Sequence, residues 1–125
     1  MRDQHHLKKA SDFRRVYAAH RRRDGRILAV YSLPNNLPHA RVGFAVSTKV
    51  GGAVVRNAVK RRLRAVCREW LQEAANAGLD LVVVARPEAS TAGFQELTQE
   101  LKALLDGVTR VPPDDLAASV RKTPS

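Results

Sequence analysis

The sequence predicts an α+β fold: a single-domain α-β-β-α-β-α sandwich in which helices pack a small sheet. Three observations lead there. Apolar residues recur at helical spacing in three stretches, alternate in two shorter ones, and run unbroken from Leu81 to Ala85. The 125 residues suffice for one domain, 1–125, with a real hydrophobic core, and no repeat or linker divides them.

Residues 1–6 are polar and basic and are expected to form a flexible arm. The first helix is expected from Asp12 to Ala19, with Ser11 as its cap and Asp12 in the favourable first turn. Phe13, Val16 and Tyr17 share one face of it. His20 to Gly25 reads as a basic loop ending in a turn signal. From Arg26 to Leu33 the chain alternates, with Ile27, Ala29, Tyr31 and Leu33 on one face and Leu28, Val30 and Ser32 on the other. Pro34 to Pro38 is a turn, and Arg41 to Ser47 reads as the partner strand of an antiparallel hairpin. Val42, Phe44 and Val46 fall on one face of that strand, and Gly43, Ala45 and Ser47 on the other.

Thr48 to Ala53 leads into a second helix, expected to run to about Ala75 before Asn76-Ala77-Gly78 ends it. Its buried stripe is expected to be Val55, Val59, Leu63, Val66 and Trp70. Leu81 to Ala85 is expected to be a strand buried on both faces. Thr91 is the expected cap of a third helix, with Phe94, Leu97, Leu101, Leu104 and Leu105 on one stripe and Gly107 as its stop. The folded core is thus expected over about 7–106, with 107–125 a flexible tail.

The net charge is +10, and it is unevenly spread. Residues 1–68 carry seventeen Lys and Arg against Asp3, Asp12 and Asp24, a balance of +14. Residues 69–125 carry five against nine, a balance of −4. From Gly25 to Arg68 there is no acid, which points to a half of the molecule that faces nucleic acid. No apolar run is long enough to span a membrane, and the N-terminus has no signal-peptide core, so a cytoplasmic protein is expected. Cys67 stands alone on the apolar side of its helix and reads as a small buried hydrophobe.

The densest basic stretch is Val54 to Arg68, with six basic residues in fifteen. At about 100° per residue, Asn57, Lys60, Arg61, Arg64 and Arg68 gather beside the apolar stripe, and Arg62 sits apart. Like charges held on one rigid rod repel unless a polyanion neutralises them, so a phosphate backbone is the natural partner. A solvated basic face is the plainer reading of the same residues. A DNA-reading helix has little support, because Asn57 is the lone base-reading candidate on that face. His5, His6, His20 and His39 have no spaced metal-ligand partners, so no metal site is expected. Paired carboxylates of the kind a metal-dependent nuclease needs are missing from the basic half. No catalytic residue is assigned.

The stretch Val42-Gly43-Phe44-Ala45-Val46-Ser47-Thr48-Lys49-Val50-Gly51-Gly52-Ala53-Val54-Val55-Arg56-Asn57-Ala58-Val59-Lys60-Arg61-Arg62-Leu63-Arg64 closely resembles the signature of the bacterial ribonuclease P protein component. Asp12-Phe13, Val16-Tyr17 and the strand Leu81 to Arg86 fit the same family, and the likeness covers about 7–106. The resemblance implies that family's sandwich, with a left-handed βαβ crossover that runs against the usual rule. It implies a protein that binds a large catalytic RNA and precursor tRNA and supports endonucleolytic removal of the 5′ leader. Phosphodiester hydrolysis would belong to the RNA, with Mg2+ held mainly there, and the protein alone would be inactive. No obligate protein partner and no membrane are implied. RNA binding carries over to Lys49, Arg56, Asn57, Lys60, Arg61 and Arg64, with Arg62 and Arg68 added from the same helix. Leader binding carries over to Phe13, Tyr17 and Tyr31, with Ala29 beside them. The three rings can equally be read as packed core. The family has Arg where this chain has Ala58, and a second basic residue where it has Thr48, so one or two phosphate contacts are expected to be missing. The alternative is a stand-alone RNA-binding or ribosomal protein with the same frame.

Overall fold

The computed structural model describes residues 3–73 and 76–109. Helix α1 spans Ala10–Ala18, strand β1 Arg22–Asp24, β2 Leu28–Pro34, β3 Arg41–Val46, helix α2 Ala53–Gln72, β4 Leu79–Ala85 and helix α3 Phe94–Thr109. Short 3-10 turns occupy Asp3–His5 and Pro87–Ser90. The mixed α+β class is as the sequence predicts. The topology differs in one respect that matters for the site.

The sheet order is β1-β2-β4-β3. The predicted hairpin between the second and third strands is absent, because β4 lies between them, antiparallel to β2 and parallel to β3. Burial explains this. The run Leu81–Ala85 is apolar on both faces, so it stabilises the fold most at the centre of the sheet, with a strand on either side. The connection from β2 to β3 therefore bridges the start of β4. The Asn35 N–H donates to the Gly78 carbonyl at 2.8 Å, and the Gly78 N–H to the His39 carbonyl at 3.3 Å. The hairpin that does form joins β1 to β2 through residues predicted to be loop. An edge strand needs no apolar face, and all three β1 residues are exposed. The Glu100 carboxylate secures its turn by accepting the N–H groups of Arg26, Ile27 and Leu28 at 3.0, 2.8 and 2.7 Å.

Helices α2 and α3 cover one face of the sheet. Leu28, Val30, Val42, Leu81 and Val83 meet Val59, Leu63, Cys67, Leu97 and Leu101 there. Each large side chain so buried contributes about 1.5–3 kcal/mol. Of the predicted stripe on α2, Val59, Leu63 and Trp70 are buried, as is Cys67; Leu71 joins them, while Val66 is half-buried and Val55 is exposed. The buried residues of the helix run from Val59 to Leu71, and Ala53, Val54 and Val55 in its first turn are exposed. The helix ends at Gln72, where the Asn76 side chain donates to the Trp70 carbonyl at 2.6 Å; the last predicted residues, 74 and 75, lie outside the described ones.

Three helix limits are also corrected. Ser11 lies inside α1, whose cap position is Lys9. Thr91 closes the 3-10 turn, its N–H donating to the Glu88 carbonyl at 3.3 Å, and α3 begins only at Phe94. Gly107 does not stop α3. It lies within α3, against the exposed Arg23 guanidinium of β1. At the N-terminus the expected loose arm is ordered from residue 3. His6 pairs with Val42, the Leu7 N–H donates to the Val42 carbonyl at 3.0 Å, and His5 Nδ1 donates to the Ala40 carbonyl at 2.8 Å. Of the predicted tail, 107–109 is helical and 110–125 lies outside the described residues.

Candidate nucleic-acid interface

The face of the sheet turned away from α2 and α3 is covered only in part, by α1. Strand register arranges its residues in rows. Tyr31, Val82 and Gly43 form one row, and Ala29, Val84 and Ala45 the next. Gly43, Ala45 and Ala29 give this face small side chains beside α1. Phe13 lies directly on Gly43, where an added Cβ would stand 2.9 Å from its Cε2. Tyr17 meets Tyr31 edge to face, with ring centroids 4.8 Å apart at 87°. Burial, and then the neighbouring Tyr31, raise the Tyr17 pKa, so its phenol stays protonated at neutral pH. Phe13, Tyr17 and Tyr31 are each half-buried, and Ala29, in the next row of β2, is buried. The four predicted leader-binding residues thus come together on one surface. The rings pack against the small cluster of Leu7, Val16 and Val82, and they keep part of their surface in water. They are both a wall of the fold and an apolar platform.

The row of this face on the other side of Tyr31 carries a polar cluster around Asp80 that the sequence reading missed. The Asp80 side chain on β4 is fully buried and accepts from Arg41 Nε at 2.8 Å and Nη2 at 2.6 Å, Asn35 Nδ2 at 2.7 Å, and Arg15 Nη2 at 3.4 Å. Asp12 stands 3.8 Å from Arg15 and 3.9 Å from Arg41. The hydrogen bond to Asp80, more than any other contact, raises the Arg41 pKa and so holds its guanidinium charged. These contacts tie α1 to β3 and β4 and so set the height of Phe13 and Tyr17 above the sheet. A clue was present: a single Asp opens an otherwise apolar strand, and a buried carboxylate requires a cation.

The second surface is the basic face of α2, which packs on β3, the edge strand. Asn57, Arg61 and Arg68 are exposed, while Arg56, Lys60 and Arg64 are half-buried with their stems against the protein. Among the described residues, none of these five cations pairs with a carboxylate. Arg56 Nε and Arg64 Nε are buried without a hydrogen-bond partner among the described residues. The helix begins at Gly52 with no side-chain cap and no acid in its first turn, and exposed Lys49 precedes it. Its first N–H groups and its dipole therefore add to the positive field. Arg62 stands apart, as expected, and its guanidinium lies 5.9 Å over the Phe94 ring of α3.

Charge, fold and surface together invite comparison with proteins already described. The family model named Ribonuclease P matches residues 1–109. The chain belongs to the ribonuclease P protein family. It is 37% identical over 99 residues to the ribonuclease P protein component of Clostridioides difficile, which covers 79% of this chain and 87% of that protein. It is 42% identical over 106 residues to that of Microcystis aeruginosa, covering 81% and 88%. The structure of the Staphylococcus aureus RNase P protein superposes with a TM-score of 0.76 at 30% identity, over 83% of this chain and 94% of the other. The Thermotoga maritima RNase P protein bound to 1-(4-fluorophenyl)-2-thiourea gives 0.72 at 27% identity, over 79% and 95%.

The chain is therefore a subunit of ribonuclease P, an endoribonuclease of tRNA processing, and associates with the ribonuclease P RNA. Ala58 is half-buried on α2, and Thr48 is exposed just before it. Among the described residues no group of three or more His, Cys, Asp or Glu side chains is placed to hold a metal ion, and no helix is long and apolar enough to cross a membrane.

Proposed function

We propose that this subunit grips the catalytic RNA of ribonuclease P with the basic face of α2 and holds the single-stranded 5′ leader of precursor tRNA on the sheet face beside α1. The observation that carries the proposal is the face formed by Arg56, Lys60, Arg61, Arg64 and Arg68, which among the described residues has no carboxylate to neutralise it. Lys49 and Asn57 extend that face, and Arg62 flanks it. Unpaired bases need a flat apolar surface, and Phe13, Tyr17 and Tyr31 beside Ala29 offer one, worth about 1–3 kcal/mol per stacked base.

Phosphodiester hydrolysis belongs to the RNA in this reading, and Mg2+ with it. Among the described residues no three His, Cys, Asp or Glu side chains are grouped to hold Mg2+. Asp80 and Asp12 face arginines, Asp24 accepts from two more, and Glu100 is taken up by backbone N–H groups. No step is therefore assigned to a protein-held metal. The protein's own residues bind and orient, and the cytoplasm is where precursor tRNA would meet them.

The test is precursor cleavage with protein alone, catalytic RNA alone and both together, at low Mg2+. Cleavage only with RNA present, most stimulated by protein at low Mg2+, is the expected pattern. Cleavage by highly purified protein without RNA would overturn it. Tyr17→Ala and Tyr31→Ala in the assembled enzyme should weaken precursor tRNA binding more than mature tRNA binding. An equal loss for both would place the rings in the core alone.

A further inference from the structure

One row of the sheet runs from edge to edge: Gly43 on β3, Val82 on β4, Tyr31 on β2 and Arg22 on β1. With strands about 4.8 Å apart, the row is roughly 14 Å long. Phe13 covers its β3 end, and Tyr17 meets Tyr31 farther along. Arg22 forms the far end. Its guanidinium lies 5.6 Å over the Tyr31 ring, Nη1 donates to the Tyr31 hydroxyl at 3.2 Å, and Nε donates to Asp24 Oδ1 at 2.7 Å. The same Asp24 oxygen accepts from Arg86 Nη2 at 2.6 Å, and Arg86 Nε donates to the Gly25 carbonyl at 3.2 Å.

Two features of this cluster point to an anion. Two guanidinium groups share one carboxylate, so the group of three keeps one positive charge in excess. Arg22 is also held in place by two bonds and a ring, while its Nη2 has no partner among the described residues. A guanidinium oriented in advance loses little freedom when it binds a phosphate, and its planar fork matches phosphate oxygens. An arginine serving only solubility would not be braced from both sides.

We propose that Arg22 grips a phosphate of the 5′ leader at the β1 end of the cleft, and so sets how far along the leader this protein reads. The inference rests on the cleft being the leader site. It adds a contact on the strand that the sequence reads as loop, at the sheet edge opposite α2.

The experiment uses the assembled enzyme and precursor tRNA in which single leader phosphates are neutralised in turn as methylphosphonates. Arg22→Ala should weaken precursor binding about two- to fivefold, the size of an exposed ion pair. Arg22→Lys, which keeps the charge without the fork, should recover part of it. At one leader linkage, neutralisation should cost the wild type a similar factor and cost Arg22→Ala nothing further. Unchanged affinity for Arg22→Ala, or losses that multiply at every linkage, would overturn the proposal. Tyr17→Ala and Tyr31→Ala run alongside. If they lose precursor affinity and Arg22→Ala does not, only the Arg22 contact fails. If none of the three loses it, the cleft is not the leader site. Melting of each variant separates either result from unfolding.

Discussion

Arg41→Ala is expected to destabilise the fold by about 3–5 kcal/mol, the cost of leaving a buried charge without its main partner. The structure shows why. The Asp80 side chain is fully buried, and Arg41 supplies its two-point contact at 2.8 and 2.6 Å. Without Arg41, Asp80 keeps Asn35 at 2.7 Å and the longer Arg15 contact at 3.4 Å. Those two put the loss toward the lower end of the range, and a chain of this size should then melt roughly 10–20 °C lower. The assay is thermal unfolding followed by circular dichroism, with Arg41→Leu/Asp80→Leu beside the single variant. Removing both partners deletes the orphaned charge, so the double variant should recover much of the loss. A single variant that melts within about 4 °C of wild type would refute the reasoning, since that is a change near 1 kcal/mol. A double variant no better than the single would show that the cost is not the buried carboxylate. The same network ties α1 to the sheet, so Arg41→Ala should also lower discrimination between precursor and mature tRNA.

Arg61→Ala and Arg64→Ala should each make the salt dependence of RNA binding shallower by about one unit, and unchanged slopes would mean that the α2 face is merely solvated. Gly43→Ala would press a methyl group against Phe13 Cε2 at 2.9 Å and Leu7 Cβ at 3.0 Å. Overpacking of this kind costs about 1–3 kcal/mol. Melting should drop and the ratio of precursor to mature tRNA binding should fall with it; a lower melting temperature at an unchanged ratio would make Phe13 core only. Burial in α2 pushes the Cys67 thiol up to about 12. Thiolate is therefore scarce in the native protein, and a thiol reagent at about pH 8 should label it only on unfolding. Labelling at the rate of a free thiol would show that α2 does not pack as described.

Local rules were enough to identify the helices, three of the four strands and the composition of both surfaces. Leu28 and Val30 separate from Tyr31 and Leu33 by strand period alone, and the structure packs the two pairs in different clusters; Ile27, given by the same period to the Tyr31 face, joins the Leu28 cluster instead, because it precedes the first residue of β2. The basic side of α2 follows from helical period in the same way. Strand order was beyond such rules. A turn of Pro and Asn between two strands reads as a hairpin, but β4, apolar on both faces, gains most by lying between them. That competition is between segments far apart in the chain, and no local window contains it. β1 escaped for the opposite reason: a basic edge strand buries nothing, so it leaves no periodic signal beyond the Asp24-Gly25 turn. Asp80 and Arg41, thirty-nine residues apart, meet only because β3 runs parallel to β4. Arg22 and Tyr31 meet only because β1 pairs with β2. Residue types and periods determined which chemistry this chain carries. Tertiary pairing decided which groups stand together, because hydrogen-bonded register sets distances that sequence separation does not.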